Sequence, residues 1–181
     1  MNHIKRPVSI HLRSKQQEAS NTELFRGIIE AFGDEMELTA APEEEDTTME
    51  IRAQGTIARD EDGRISLSYD ETELTGMEGS TTTVTFSEDE PGTVTMLRFG
   101  SVTTTLVFEQ ERRHICVYET PIMPFEICIY ARRVQNTLTM DGGSILLDYL
   151  IEIHGAKAER TLFELHVVPT DRKKGEITHE Y

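Results

Sequence analysis

Two charged side chains in this sequence continue the apolar side of an alternating segment, the pattern that carries a charge to the buried face of a sheet. In RISLSYDETELTGMEG (64–79), Ile65, Leu67 and Tyr69 alternate with Arg64, Ser66 and Ser68, and Glu71 falls in step with the apolar set. In GTVTMLRFGSV (92–102), Val94 and Met96 are followed in the same step by Arg98. A lone ion in such a place costs several kcal/mol, roughly the effective penalty for a buried charge. A carboxylate and a guanidinium in contact, with the Tyr69 and Tyr118 hydroxyls beside them, satisfy most of each other's hydrogen bonds.

Three uses follow from that chemistry. Structurally, Glu71 and Arg98 form an ion pair that fixes strand register, or snorkel to the rim. As a binding site, Arg98, Glu71, Tyr69 and Tyr118 hold the acidic head of an amphiphile whose tail lies among Val94, Met96, Leu106, Phe108 and Tyr149. As a catalytic site, Glu71 acts as general base or acid from a desolvated position. No GxSxG, HExxH, Walker or GxGxxG signature supports catalysis, so no catalytic residue and no cofactor are assigned.

Metal and haem chemistry have little to work with. His154 and His166 both fall on the outer side of the last two strands, and a tight hairpin would set His154 near Thr161. His166 is then about 17 Å away at the rise of a strand, too far to share an ion. His114 is the residual haem ligand, in step with Cys116 and Tyr118, but a lone strand histidine is more often structural. Cys116 and Cys128 lie on strands expected to form a hairpin. With neither a CxxC pair nor zinc-type spacing, they are expected as buried thiols rather than a disulfide.

Composition narrows the partners. Hydrophobic residues make up 37% and charged residues 28% of 181 residues, the balance of a globular protein of one core. No apolar run of about 18 residues spans a bilayer, and MNHIKRPVSIHLRSK lacks the apolar stretch of roughly seven residues that a secretory signal needs. The expectation is a cytoplasmic protein that does not enter membranes. The formal net charge of −15 disfavours nucleic acid, whose binding rests on clustered Lys and Arg. Residues 18–50 hold eleven acidic residues and one basic residue, −10 in all, leaving −5 for the remainder. That segment is either a solvated loop or a docking surface for a basic protein.

The elements that position these residues are mostly strands. Period-two alternation rich in Thr, Val, Ile, Phe and Tyr is broken by DEDG (60–63), DEPG (89–92) and MDGG (140–143). Ten strands are expected at 8–13, 48–58, 64–71, 80–87, 93–99, 102–110, 113–120, 125–134, 144–154 and 161–168. Ile145, Leu147, Tyr149, Ile151 and Ile153 face inward on the ninth; Met49, Ile51, Ala53 and Ile57 do so on the second, and Phe163, Leu165 and Val167 on the last. Short connections favour an all-β, antiparallel up-and-down meander closed into a barrel, with a two-layer sandwich as the alternative.

Residues 14–47 interrupt this pattern. In SNTELFRGIIEAFG, Ser20 is an N-cap with Glu23 three residues on; Leu24, Phe25, Ile28, Ile29 and Phe32 form a stripe, and Gly33 stands at C′. A helix over 21–32 is expected, either as a lid across one mouth or as a brace against the wall. The acidic APEEEDTT that follows reads as an exposed linker, and 169–181 as a flexible tail of a single domain 1–181.

Tyr69, Glu71, Gly76, the threonines from Thr81, Arg98 with Gly100, and Tyr118 with Thr120 and Pro121 occur in an order that resembles the YwiB-like family, over roughly residues 48–168. These are small bacterial calycin-like barrels grouped as a domain of unknown function. The resemblance implies a lipocalin-like barrel and supplies no activity, cofactor or catalytic residue. Two departures stand out: a longer insertion before residue 48, and Ile122-Met123-Pro124 where the family has an aromatic residue and a glycine. The resulting expectation is a non-enzymatic barrel holding a small lipophilic or anionic amphiphilic ligand. The rival is a filled, ligand-free interaction module that docks a protein through its acidic insertion.

Overall fold

The structure, a computed structural model, describes residues 4–18, 47–75, 78–101, 103–119, 124–153 and 157–170. Its ten strands are β1 (Ile4–Glu18), β2 (Thr47–Arg59), β3 (Arg64–Asp70), β4 (Thr81–Ser87), β5 (Thr93–Phe99), β6 (Thr103–Glu109), β7 (Arg113–Glu119), β8 (Pro124–Asn136), β9 (Gly143–Ile153) and β10 (Lys157–Pro169). Each pairs antiparallel with its neighbours in sequence. β1 then pairs with β10, from Val8 opposite Pro169 to Glu18 opposite Glu159, so the sheet closes on itself as the expected barrel and not as a sandwich.

Alternation decides what faces inward. Ile65, Leu67 and Tyr69 of β3, Val84 and Phe86 of β4, Val94 and Met96 of β5, and Leu106 and Phe108 of β6 are all buried in one continuous core. Ile145, Leu147 and Tyr149 of β9 join Phe163, Leu165 and Val167 of β10 in the same core. Each such side chain contributes roughly 1.5–3 kcal/mol by leaving water.

Three strands differ most from expectation, and β1 already begins at Ile4 rather than at residue 8. Residues 14–18, assigned by sequence to the insertion, continue β1, because Ser14 points inward and Ser14 to Gln16 are laddered to β2 and β10 alike. β8 runs on to Asn136 through a bulge between Ala131 and Arg133. The bulge shifts the inward parity from Ile127, Ile129 and Ala131 to Val134. β10 begins at Lys157 and ends at Pro169, with Thr161 opposite Tyr149. The expected helix at 21–32, its acidic linker, His154 and the tail after Thr170 lie outside the described residues. Among the described residues no helix is long and apolar enough to cross a membrane.

The barrel's two ends differ. At the end where β8 passes to β9, Leu138 and Met140 turn back into the core and are buried. The loop carrying them is pinned by Leu138 N–H to Asn136 Oδ1 (3.0 Å) and by Arg6, which donates to Met140 O (3.2 Å) and Asp141 Oδ1 (2.7 Å). This apolar stopper closes one mouth.

Gly55 takes an inward place on β2, between Val8 of β1 and Tyr69 of β3. A Cβ there would lie 2.6 Å from Ile10 Cδ1 and 2.7 Å from the Ser68 carbonyl oxygen. Contact with fixed backbone leaves no easy relief. Gly55→Ala is expected to destabilise the barrel by about 1–3 kcal/mol, seen as a lower urea midpoint with an unchanged slope; an unaltered midpoint would contradict this packing.

Candidate functional site

The opposite mouth is polar, and register builds it. Tyr69 of β3 lies opposite Thr82 of β4, Thr82 opposite Arg98 of β5, Arg98 opposite Thr104 of β6, and Thr104 opposite Tyr118 of β7. These five inward positions form one transverse row, immediately above the apolar row of Leu67, Val84, Met96, Leu106 and Cys116. Glu71 follows the end of β3 and is drawn over the row by its own N–H, which donates to Ser80 O at 2.9 Å. Gly100, with φ of 143°, lets the β5–β6 turn pass where a Cβ would meet Gly79 O at 2.4 Å. Ser80 and Ser101 then share a hydroxyl hydrogen bond of 2.8 Å across that contact.

The structure brings Glu71 and Arg98 together. The Glu71 carboxylate is 3% exposed; its Oε1 accepts from Thr82 Oγ1 at 2.5 Å and lies 3.7 Å from Arg98 Nε. At 3.7 Å the pair is an electrostatic contact rather than a bidentate clasp. The Arg98 side chain is 16% exposed, and its buried Nε makes no hydrogen bond. Tyr69 Oη is likewise buried without a hydrogen bond of good geometry; the polar side chain nearest it is Thr82, which donates to Glu71. Thr72 Oγ1, next along the β3–β4 connection, is a third buried polar atom without a partner. Most buried polar atoms in folded proteins are satisfied, so three around one mouth are unusual.

The phenols report the field in this mouth. Burial pushes the Tyr69 hydroxyl well above the usual tyrosine range, and the Glu71 charge pushes it further, with Arg98 acting in the opposite sense. Burial also raises Tyr149, again opposed by Arg98. The guanidinium therefore acts on phenols from β3 and β9, which closure brings round the same end. The Tyr149 ring packs on Phe108, with centroids 4.8 Å apart and planes tilted by 58°.

The other residues singled out from sequence fall as follows. Met96 and Phe108, with Val94 and Leu106, are almost wholly buried beneath the polar row. Tyr118 is half-buried in it. Cys116 points into the core and Cys128 out of the wall, opposite Ile127 and Ile115, and both are free thiols. Burial raises the Cys116 thiol. His114 is engaged by Glu109 Oε2 at 3.2 Å, and His166 is exposed opposite His11 of β1. Among the described residues no cluster of His, Cys, Asp and Glu could hold a metal.

Sequence reasoning missed Thr82 and Thr104, both buried. The signal was present, since Thr82 alternates with Val84 and Phe86, but a threonine run reads first as strand-forming composition. A recess of about 360 Å³ beside this end is lined by Gln54, Thr56, Ser68, Asp70 and Thr81 of the outer wall together with the inward-facing Gly55 and Tyr69, and it opens to solvent.

Comparison with known proteins adds two findings. The family model described as "Domain of unknown function (DUF1934)" matches residues 35–165. The crystal structure of ywiB protein from Bacillus subtilis superposes with a TM-score of 0.63 at 18% identity, over 90% of this chain and 92% of that one. At that identity the likeness concerns the fold alone. A comparison with curated proteins gives no match.

The raised phenols fix a sign. A phenol whose folded value exceeds its unfolded value favours the fold below about pH 10, and that contribution is lost as pH rises beyond it. Ultraviolet titration at high pH should find two of the five tyrosines, Tyr69 and Tyr149, ionising only with unfolding. Five phenols ionising together near pH 10 in folded protein would contradict the buried polar mouth. Arg98→Met, which leaves Glu71 buried beside Thr82 alone, should cost about 1–3 kcal/mol. Adding Glu71→Gln should recover part of that loss in a double-mutant cycle, whereas strictly additive losses would show that the two charges do not interact.

Proposed function

Since the chain belongs to the DUF1934 family of domains of unknown function, we propose from its geometry that it is a non-enzymatic barrel binding a small anionic amphiphile at the polar mouth. The observation that carries this is the pair of buried groups that make no hydrogen bond, Arg98 Nε in electrostatic contact with Glu71 and Tyr69 Oη beside Thr82, around a carboxylate already engaged by Thr82. Both can donate, and a ligand carboxylate or phosphate accepting from them would satisfy atoms that the chain leaves unsatisfied. Arg98 is the charged anchor, Tyr69 and Tyr118 orient the head group, and Glu71 holds the guanidinium in place.

The ligand tail points toward the stoppered end, among Met96, Phe108 and Tyr149. These side chains are buried against one another, so binding requires them to yield. Met96 is unbranched and can change rotamer at small cost. A barrel of about ten strands has the girth for one small ligand once they part. The blocked far mouth makes entry one-sided, head group outermost. Acid–base catalysis is disfavoured, because the Glu71 oxygen nearest Arg98 is also occupied by Thr82, and the other inward carboxylate described at this end, Glu159 of β10, accepts from the Thr161 hydroxyl at 3.5 Å.

The test pairs a fluorescent fatty carboxylate with the alcohol of the same chain length. Wild-type protein should bind the carboxylate, and Arg98→Met should weaken it about tenfold or more, the worth of one charge-assisted contact, with the alcohol little affected. Native mass spectrometry of the purified protein should show a co-purified mass of a few hundred daltons. Equal affinity for both probes, or binding unchanged in Arg98→Met, would refute the anchor; no binding of either would refute the ligand.

A further inference from the structure

The outer wall of the barrel has one region without charge. Every outward position of β4 and β5, and the first three of β6, is Thr, Ser, Leu, Phe or Val. All other strands carry outward charges: Lys5 and Arg13 on β1, Glu50 and Arg52 on β2, Arg132 and Arg133 on β8, Asp148 and Glu152 on β9, Glu164 on β10. In a chain with 28% charged residues and a net charge of −15, a neutral wall several strands wide needs a reason. On it and on the adjoining β7, which adds the charges of Arg113 and Glu119 at its two ends, stand four of the six exposed large apolar side chains among the described residues. Leu97 and Phe99 of β5 are 43% and 69% exposed, and Ile115 and Val117 of β7 are 75% and 48% exposed.

Closure removes the usual route to association, since a barrel has no edge strand to extend. What remains is face against face. A neutral face gives a charged partner no electrostatic handle, and it matches itself. It is also where two copies, each of charge −15, can approach with least repulsion. The outward side chains of β7 read Arg113, Ile115, Val117, Glu119. Laid antiparallel on a second β7, they put Ile115 on Val117 and Arg113 on Glu119, and then do so again by symmetry. Arg113 gives Nη1 to Glu152 at 2.8 Å and lies over the Tyr130 ring, 5.1 Å from its centroid, so the second copy would meet the N–H groups on the remaining edge of the guanidinium.

We propose that this protein forms a two-fold homodimer through the β5–β7 wall, with β7 packed antiparallel on β7 of the second copy. The contact is isologous, as two-fold interfaces are. Three strands at a spacing of about 4.8 Å and seven residues at about 3.3 Å give a face of roughly 14 by 23 Å. Because a barrel wall is convex, only its central strip makes contact, so the buried area falls below the ~1,200 Å² of a stable interface, in the class of weak, transient association. The dimer therefore dissociates in the micromolar range, on the order of 1–10 µM.

The full chain is tested by light scattering and sedimentation equilibrium. Wild type should move from one to two times 20.6 kDa as concentration rises to about 100 µM. Ile115→Lys, on an exposed position that leaves the core intact, should keep the wild-type circular dichroism spectrum and weaken association at least about 100-fold. Arg113→Glu alone should be monomeric, because Glu then faces Glu, and Glu119→Arg alone likewise. Mixing these two single variants should restore a dimer, because each then supplies the opposite sign. Wild type monomeric at about 100 µM would overturn the proposal. So would a dimer that survives Ile115→Lys, a mixture no tighter than its components, or a wall that binds phosphatidylcholine vesicles in place of itself.

Discussion

The ladder between β1 and β10 is the constraint on which everything else rests. Without it β1 and β10 would be open edges, and the inward faces of ten strands would form two exposed sides rather than one sheltered interior. With it, strands far apart in the chain share one mouth, so the charge of Arg98 on β5 acts on Tyr69 of β3 and Tyr149 of β9 alike. Neither the ion pair nor the phenols would be buried on a flat sheet.

Closure also makes the two ends answerable to different residues. One end is filled by Leu138 and Met140, which return from the β8–β9 loop into the core. The other is ringed by Glu71, Thr82, Arg98 and Thr104, all at least largely buried. A barrel filled with hydrocarbon from end to end would be simpler to stabilise, because a buried ion pair seldom outperforms apolar packing of similar volume. The polar ring therefore lowers stability relative to that alternative.

The strands were legible because a sheet with one wet and one dry face writes its geometry as alternation, and Glu71 and Arg98 stood out by following that alternation. What escaped did so where the code breaks. The bulge between Ala131 and Arg133 reverses parity within β8. The ends of β1 and β10 carry polar side chains, such as Ser14 and Arg160, that match no simple two-sided pattern although their backbones are fully laddered. Leu138 and Met140 sit in a turn, where apolar residues carry no periodic signal. The distance from Arg98 to Glu71 was beyond sequence, because it depends on how Ser80 pulls the residue after β3 across the row.

The closing ladder joins Val8 to Pro169, positions 161 apart in the chain (169 − 8). Chain synthesis runs from one end, so β1 spends nearly the whole of it with one flank bare, paired at most to β2. The last strand made is the one that completes the ring. Folding of such a topology is slow and finishes late, since the longest loop must close before its contacts repay the entropy. The proline and lysines on the outer side of β1, Pro7, Lys5 and Lys15, stand where a waiting strand most needs protection from sticking to its own kind.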